Sequence, residues 1–281
     1  MEQSASIWRA GPHDLQCGAR TLVMGILNIT PDSFSDGGRF FDPEMAVNRG
    51  MEMVGDGADI IDVGGESTRP GSDPVSVEDE RERVVPVIKR LAAEVHVPIS
   101  VDTRKHQVAE ASVDAGASIV NDVTSGSDPE MFRLVRETEA GMVLMHMKGE
   151  PKTMQKSPHY DDVVREVHDY LESRLQAAVD AGVPWDRLCV DPGLGFGKTT
   201  EHSLLLMQQT EALLDLGRPV LVGPSRKSFI GDAQGTEVTD RLEGTAGAVA
   251  YMVAKGAHIV RVHDVMEIAR VVRVVDAIVR A

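Results

Sequence analysis

Eight short runs of β-branched and aliphatic residues, spaced along nearly the whole chain, constrain this sequence more than any other feature. They begin near residues 21, 58, 98, 118, 141, 188, 219 and 258 and read TLVMGILN, ADIIDVGG, PISVDT, SIVNDV, GMVLMHM, LCVDPG, PVLVGPS and HIVRVHD. All are apolar runs rather than polar alternations, so each is expected to be buried on both faces, as strands of a parallel sheet are. Each run gives way to a polar or glycine-bearing segment, and the polar residue at its end changes from run to run. In parallel α/β folds chemistry sits where strands end, because loops there carry reactive groups that the strand holds in place.

Helix patterns fill the intervals. In 161–181, Val163, Val164, Val167, Leu171, Leu175, Ala178 and Val179 recur at helical spacing, with Gly182 beyond as a stop. Segment 76–93 opens on Ser76-x-x-Asp79, a capping-box-like start, and Pro86 predicts a kink or split within it. Residues 264–281 read as a closing helix. This strict alternation predicts an α/β fold, a (β/α)8 TIM barrel over residues 21–281, with residues 1–20 as a short N-terminal extension forming a hairpin across the barrel bottom. The 281 residues suit such a barrel, which needs about 250. An open, doubly wound sheet is the alternative. Two strand-end loops, 29–43 and 65–77, are long, and long irregular loops in a compact domain are usually functional.

Charge narrows the partners. With 29 basic and 44 acidic residues the formal net charge is −15, which argues against nucleic acid or an anionic membrane. A small anion responds instead to local charge, for which Arg226-Lys227 and Arg261 are candidates. No apolar run approaches the ~18 residues needed to cross a bilayer. The start MEQSASIWRAGPHD lacks the basic and apolar regions of a signal peptide, so a cytoplasmic location is expected. Cys17 and Cys189 give no disulfide framework, and Cys189 reads as a buried thiol. With no HExxH or Cys/His cluster, no tight zinc or iron site is expected. A phosphate-bound Mg²⁺ needs only one or two oxygen ligands.

Asn28, Asp102, Asn121, His146, Asp191, Lys227, Arg261 and His263 collect at the predicted mouth. A single Asp or Asn there often only caps the next helix. Three of them, Asp102, Asn121 and Asp191, each closing an apolar run, point to a site. The segment Asp191-Pro-Gly-Leu-Gly-Phe-Gly-Lys198 lacks P-loop spacing, and its glycines are expected to let backbone approach a ligand. Asp191 with Phe196 suggests a flat polar ring recognised at its edge and covered by an apolar face. Gly223-Pro-Ser-Arg-Lys-Ser-Phe229 follows strand seven, where barrels commonly hold phosphate. Period two puts Arg261 and His263 on one side, where both can face one anion; a supporting salt bridge is the alternative for Arg261. His146 is expected to be a barrel-layer histidine bonded to backbone.

In order along the chain, MGILNITPDSFSDGG, IDVGGESTRPG, SVDT, VNDV, LMHM, DPGLGFGK, SRKSF and RVHD resemble the dihydropteroate synthase family across essentially everything after about residue 20. That family is a (β/α)8 barrel that condenses 6-hydroxymethyl-7,8-dihydropterin diphosphate with 4-aminobenzoate, giving 7,8-dihydropteroate and diphosphate. The resemblance implies a transferase in which Asp102, Asn121, Asp191 and Lys227 hold the pterin, with Met145 and Gly223 among the substrate-binding residues. It implies Asn28 as ligand to Mg²⁺ on the diphosphate, Arg261 and His263 on the diphosphate itself, and Thr68 on the pterin diphosphate. Phe34, Arg69, Pro70, Phe196, Lys227 and Ser228 would shape the aminobenzoate pocket, which sulfonamide inhibitors would share. Asp102, Asp191, Lys227, Arg261 and His263 form the implied catalytic set, and a homodimer through 243–255 and 264–280 is implied as well. Pro224 and Thr124-Ser-Gly-Ser127 depart from the family pattern without touching a proposed ligand group. Two other readings are a pterin-binding methyltransferase barrel, which has no use for the diphosphate set, and a catalytically silent binding protein.

Overall fold

All eight apolar runs contribute strands to one parallel sheet in the computed structural model, which describes residues 6–30, 43–67, 72–150, 152–237 and 240–280. The sequence expectations for Phe34, Thr68, Arg69 and Pro70 lie outside the described residues. A hairpin of β1 (Ser6–Ala10) and β2 (His13–Cys17) comes first. The parallel strands are β3 (Leu22–Asn28), β4 (Ile60–Gly64), β5 (Ile99–Asp102), β6 (Ile119–Asp122), β7 (Gly141–Met145), β8 (Leu188–Asp191), β9 (Leu221–Val222) and β10 (Ile259–Val262). They pair in the order β8-β7-β6-β5-β4-β3-β10-β9. A parallel bridge between Val190 and Val220 joins the outer two, with the Val190 N–H donating to the Pro219 carbonyl at 2.9 Å. The sheet thus meets itself as a nearly closed barrel, which covers the strand edges an open sheet would expose.

Helices α1 (Pro43–Asp56), α2 (Val77–Glu94), α3 (His106–Asp114), α4 (Pro129–Thr138), α5 (Val163–Asp180), α6 (Thr200–Gln208), α7 (Ser228–Gln234), α8 (Leu242–Ala254) and α9 (Val265–Val279) follow the strands. Ser76 caps α2 as its sequence suggests, its Oγ accepting from the Asp79 N–H at 3.0 Å. The helix then runs unsplit through Pro86. Pro86 removes the partner of the Glu82 carbonyl, but both residues face solvent, where water replaces the lost bond. In α5 the expected apolar set is buried except Val179, which is exposed near the C-terminal end.

Period two divides the strand residues between two cores. Val23, Ile61, Val101, Val120, Leu144 and Val260 pack outward beneath the helices. Met24, Ile60, Ile119, Val143, Cys189, Leu221 and Ile259 fill the barrel's lower interior. Two residues further along, the same inward face turns polar: Asp62 follows Ile60, Asn121 follows Ile119, Asp191 follows Cys189 and Arg261 follows Ile259. The hairpin seals the opposite end. Trp8 is fully buried within the lower core, and its Nε1 donates to the Arg187 carbonyl at 2.8 Å.

Removing that plug should be costly. Trp8→Ala is expected to lower stability by about 3–5 kcal/mol, read from urea unfolding. A loss below about 1 kcal/mol, within the range of an ordinary surface substitution, would show that the hairpin does not close the lower core.

Candidate active site

One arginine organises the upper interior. Arg261, inward on β10, donates from Nε to Asp62 Oδ2 and from Nη2 to Asp102 Oδ2, both at 2.6 Å. Asn121 Nδ2 also reaches Asp62 Oδ2, at 3.1 Å. These groups come from β4, β5, β6 and β10 and meet because equal-parity residues at the strand ends point into one barrel. Two buried carboxylates therefore share one half-buried guanidinium. Burial, only partly offset by Arg261 and reinforced by Asp62, pushes the Asp102 carboxyl up to about 7. Burial works against the Arg261 charge too, yet Asp62 and Asp102 more than compensate and hold its pKa above the usual value. One oxygen of each carboxylate, Asp62 Oδ1 and Asp102 Oδ1, is buried with no hydrogen-bond partner among the described residues.

Across the mouth, Asp191 ends β8 and accepts from the Gly193 N–H at 2.7 Å. Burial raises its pKa, opposed first by Lys227. Lys227 precedes α7, donates to the Leu194 carbonyl and lies 4.6 Å from the centre of the Phe196 ring. Burial draws its pKa down to about 8 against the pull of Asp191. Ser228 opens α7 and is exposed. Met145 and Gly223 are buried on the inner wall.

The glycine loop between Asp191 and Lys198 departs from the expectation that its glycines make room for a ligand. A Cβ on Gly193 would meet the His146 carbonyl oxygen at 2.0 Å, and one on Gly197 the Lys148 carbonyl oxygen at 2.1 Å. Both residues have positive φ, so the loop is left-handed there and presses against the chain after β7. Lys198, passed over in the sequence, is the brace. Its buried ammonium contacts His146 Nδ1 at 2.8 Å and donates to the carbonyls of Gly193 at 2.9 Å, Phe196 at 3.1 Å and His146 at 3.3 Å. His146 is thus held by a lysine and stacks edge-on against Tyr170. It supports the loop from behind.

His263 sits beyond β10 with Nδ1 2.9 Å from Ser225 Oγ, and the buried Ser225 ties the strand-seven loop to it. Asn28 ends β3, half-buried, and its Oδ1 stands 3.8 Å from where a Gly64 Cβ would lie, as does Asp102 Oδ2. A carbonyl-type oxygen at the rim suits a hard divalent cation that keeps most of its ligands from water and phosphate. Among the described residues the one close group of three metal-type side chains is His168, Asp169 and Glu172, outside the barrel on α5.

Comparison with known proteins now bears on this geometry. A family profile described as pterin binding enzyme matches residues 24–263. The chain is 46% identical over 259 residues to the dihydropteroate synthase of Escherichia coli (strain K12), covering 92% of each protein. It is 44% identical over 265 residues to that of Synechocystis, covering 94% of this chain and 92% of the other. The chain belongs to the dihydropteroate synthase family. The solved Xanthomonas albilineans dihydropteroate synthase with 4-aminobenzoic acid superposes with a TM-score of 0.92 at 43% identity, over 98% of both chains. The Yersinia pestis dihydropteroate synthase with a sulfonamide drug gives 0.91 at 40% identity, over 97% of this chain and 98% of that one. The barrel described above is therefore the dihydropteroate synthase barrel, a TIM-barrel fold.

Asp62 was missed in the sequence because it lies inside the run ADIIDVGG rather than at its end. The signal was its parity, shared with Ile60 and Gly64.

The shared guanidinium has a pH consequence. The Asp102 carboxyl titrates at about 3.8 when free and at about 7 when folded, so the native state holds the proton more tightly. Its contribution to stability is therefore greatest below the lower value and declines as pH rises toward 7. Urea unfolding between pH 4.5 and about 7.5 should show wild type losing stability relative to Asp102→Asn as pH rises. A difference that is flat or of opposite sign would contradict the raised carboxyl.

Proposed function

We infer that the polar layer at the barrel mouth forms 7,8-dihydropteroate from 6-hydroxymethyl-7,8-dihydropterin diphosphate and 4-aminobenzoate, releasing diphosphate. The observation that carries this reading is the convergence of buried Asp102, Asn121 and Asp191 with half-buried Lys227 and Arg261 in one polar layer above an apolar floor. A pterin is a flat ring with an edge of N–H donors and ring acceptors. Buried carboxylate oxygens such as Asp102 Oδ1 meet the donors, and Lys227 meets an acceptor. Related structures support the assignment: one Xanthomonas albilineans dihydropteroate synthase complex holds 7,8-dihydropteroate and another 4-aminobenzoic acid.

An aniline nitrogen is a weak nucleophile, so the reaction gains most from breaking the pterin methylene C–O bond. Positive charge growing on the ring is favoured by Asp102 and Asp191. Negative charge growing on the departing diphosphate is met by Arg261 and His263, an interaction that strengthens as the bond breaks. The aniline nitrogen then bonds to the methylene carbon and loses its proton to solvent, so no side-chain nucleophile is required. Asn28, with its amide oxygen at the rim, is the residue that would hold Mg²⁺. That ion would supply further neutralisation of the diphosphate.

Phe196 and Ser228 flank Lys227 on the side where aminobenzoate would enter, in the pocket proposed for sulfonamides as well. Phe34, Thr68, Arg69 and Pro70 belong to the same proposal through their motifs alone. A homodimer is proposed through the late helices, where Tyr251 on α8 and Val274 and Ile278 on α9 are exposed. A cytoplasmic location is proposed as well. Among the described residues, no helix is long and apolar enough to cross a membrane.

Asp102→Asn and Asp191→Asn should each weaken pterin binding by about 10- to 100-fold, the worth of one charge-assisted hydrogen bond, and abolish most turnover without unfolding the chain. Calorimetry with the pterin and an assay of diphosphate release, with and without 4-aminobenzoate, provide the readouts. Wild-type affinity and rate in both variants would overturn the assignment. Release that ignores 4-aminobenzoate would indicate hydrolysis rather than transfer.

A further inference from the structure

Asp62 lies beneath the rim, two residues inside the end of β4, and its side chain is fully buried. One of its oxygens serves two partners, Arg261 Nε at 2.6 Å and Asn121 Nδ2 at 3.1 Å, while the other has none among the described residues. A carboxylate so placed is expensive to keep, and a well-packed apolar residue at that depth would commonly be more stable. What it fixes is visible in its partners. With Nε on Asp62 and Nη2 on Asp102, the guanidinium is locked about its last torsions, and no hydrogen bond among the described residues uses Nη1. The asparagine is polarised as well. A carboxylate only accepts, so Asn121 must present its NH₂ to Asp62, leaving its carbonyl oxygen as the free acceptor of that side chain.

We propose that Asp62 is a positioning residue for the pterin diphosphate: it aims Arg261 at the anion and sets Asn121 to accept, not donate, a hydrogen bond from the ring. The inference rests on the reading of Arg261 and Asn121 as substrate-facing groups. It assigns Asp62 no contact with substrate. Its effect on the reaction passes through those two side chains. An asparagine at position 62 would offer both a donor and an acceptor, so Asn121 would lose its fixed orientation and Arg261 one of its two anchors.

The test is a double-mutant cycle on the full chain with Asp62→Asn and Arg261→Met, scored by kcat/KM for the pterin diphosphate and by KM for 4-aminobenzoate. Asp62→Asn alone should lower kcat/KM by about 100-fold, as expected of misplacement by about an ångström. In the Arg261→Met background the same change should cost less than about 5-fold, because the larger part of what it positions is gone. The KM for 4-aminobenzoate should stay within about 2-fold. A purely structural role would lower both backgrounds equally, and such additivity would overturn the proposal, as would wild-type kinetics in Asp62→Asn. Failure of the underlying reading would look different, since Arg261→Met itself would then retain wild-type kinetics. Should the asparagine variant not fold, Asp62→Ser, which leaves space for a water, is carried through the same cycle with the same expectations.

Discussion

The upper half of this barrel depends on one half-buried guanidinium placed between two buried carboxylates. Arg261 reaches Asp62 two strands away and Asp102 three strands away, and Asp62 in turn holds Asn121. Isolated, any of these groups would be prohibitively costly at such depth. Together they are tolerable but still inferior to a further apolar layer, because desolvation is only partly returned by pairing. The lower interior shows the apolar solution at the same radius, built from Met24, Ile60, Val143 and Ile259. A fold able to fill its centre with valine and isoleucine, and which instead keeps charge there, is shaped by what it binds.

The polar layer in turn needs a rigid support. Trp8 and the hairpin seal the bottom, so the apolar floor is buried and packed. On the β8 side, Lys198 ties the backbone carbonyls of Gly193 and Phe196 to His146, which fixes the loop carrying the Leu194 carbonyl that holds Lys227. Two lysines thus act at different depths of one loop. Lys198 is consumed in holding backbone, whereas Lys227 stands at the mouth beside Phe196.

Much of this was legible in the sequence, for a definite reason. Strands buried on both faces read as unbroken apolar runs, and a polar residue closing such a run cannot be part of the core, so Asp102, Asn121 and Asp191 stood out. Asp62 did not, because an acid inside an apolar run is visible only through its parity, and parity becomes informative only when the barrel interior is known. Lys198 gave no signal at all. A lysine after a glycine-rich loop looks solvated until the loop folds around it. The glycines misled in direction. Gly193 and Gly197 do permit close approach, but to the carbonyls of His146 and Lys148. Pro86 forecast a kink or a split; the helix is not split there, and the exposed Glu82 can give its carbonyl to water.

The central claim is that Asp102, Asn121 and Asp191 on one hand and Arg261 and His263 on the other form adjoining parts of a single site, the first for the ring and the second for the anion. The most direct measurement is a crystal structure of this chain with a non-hydrolysable analogue of the pterin diphosphate. The account predicts the ring edge against Asp102, Asn121 and Asp191, with the phosphates toward Arg261 and His263. A ring bound outside the barrel, or one reversed so that its phosphates approach Asp191, would contradict it.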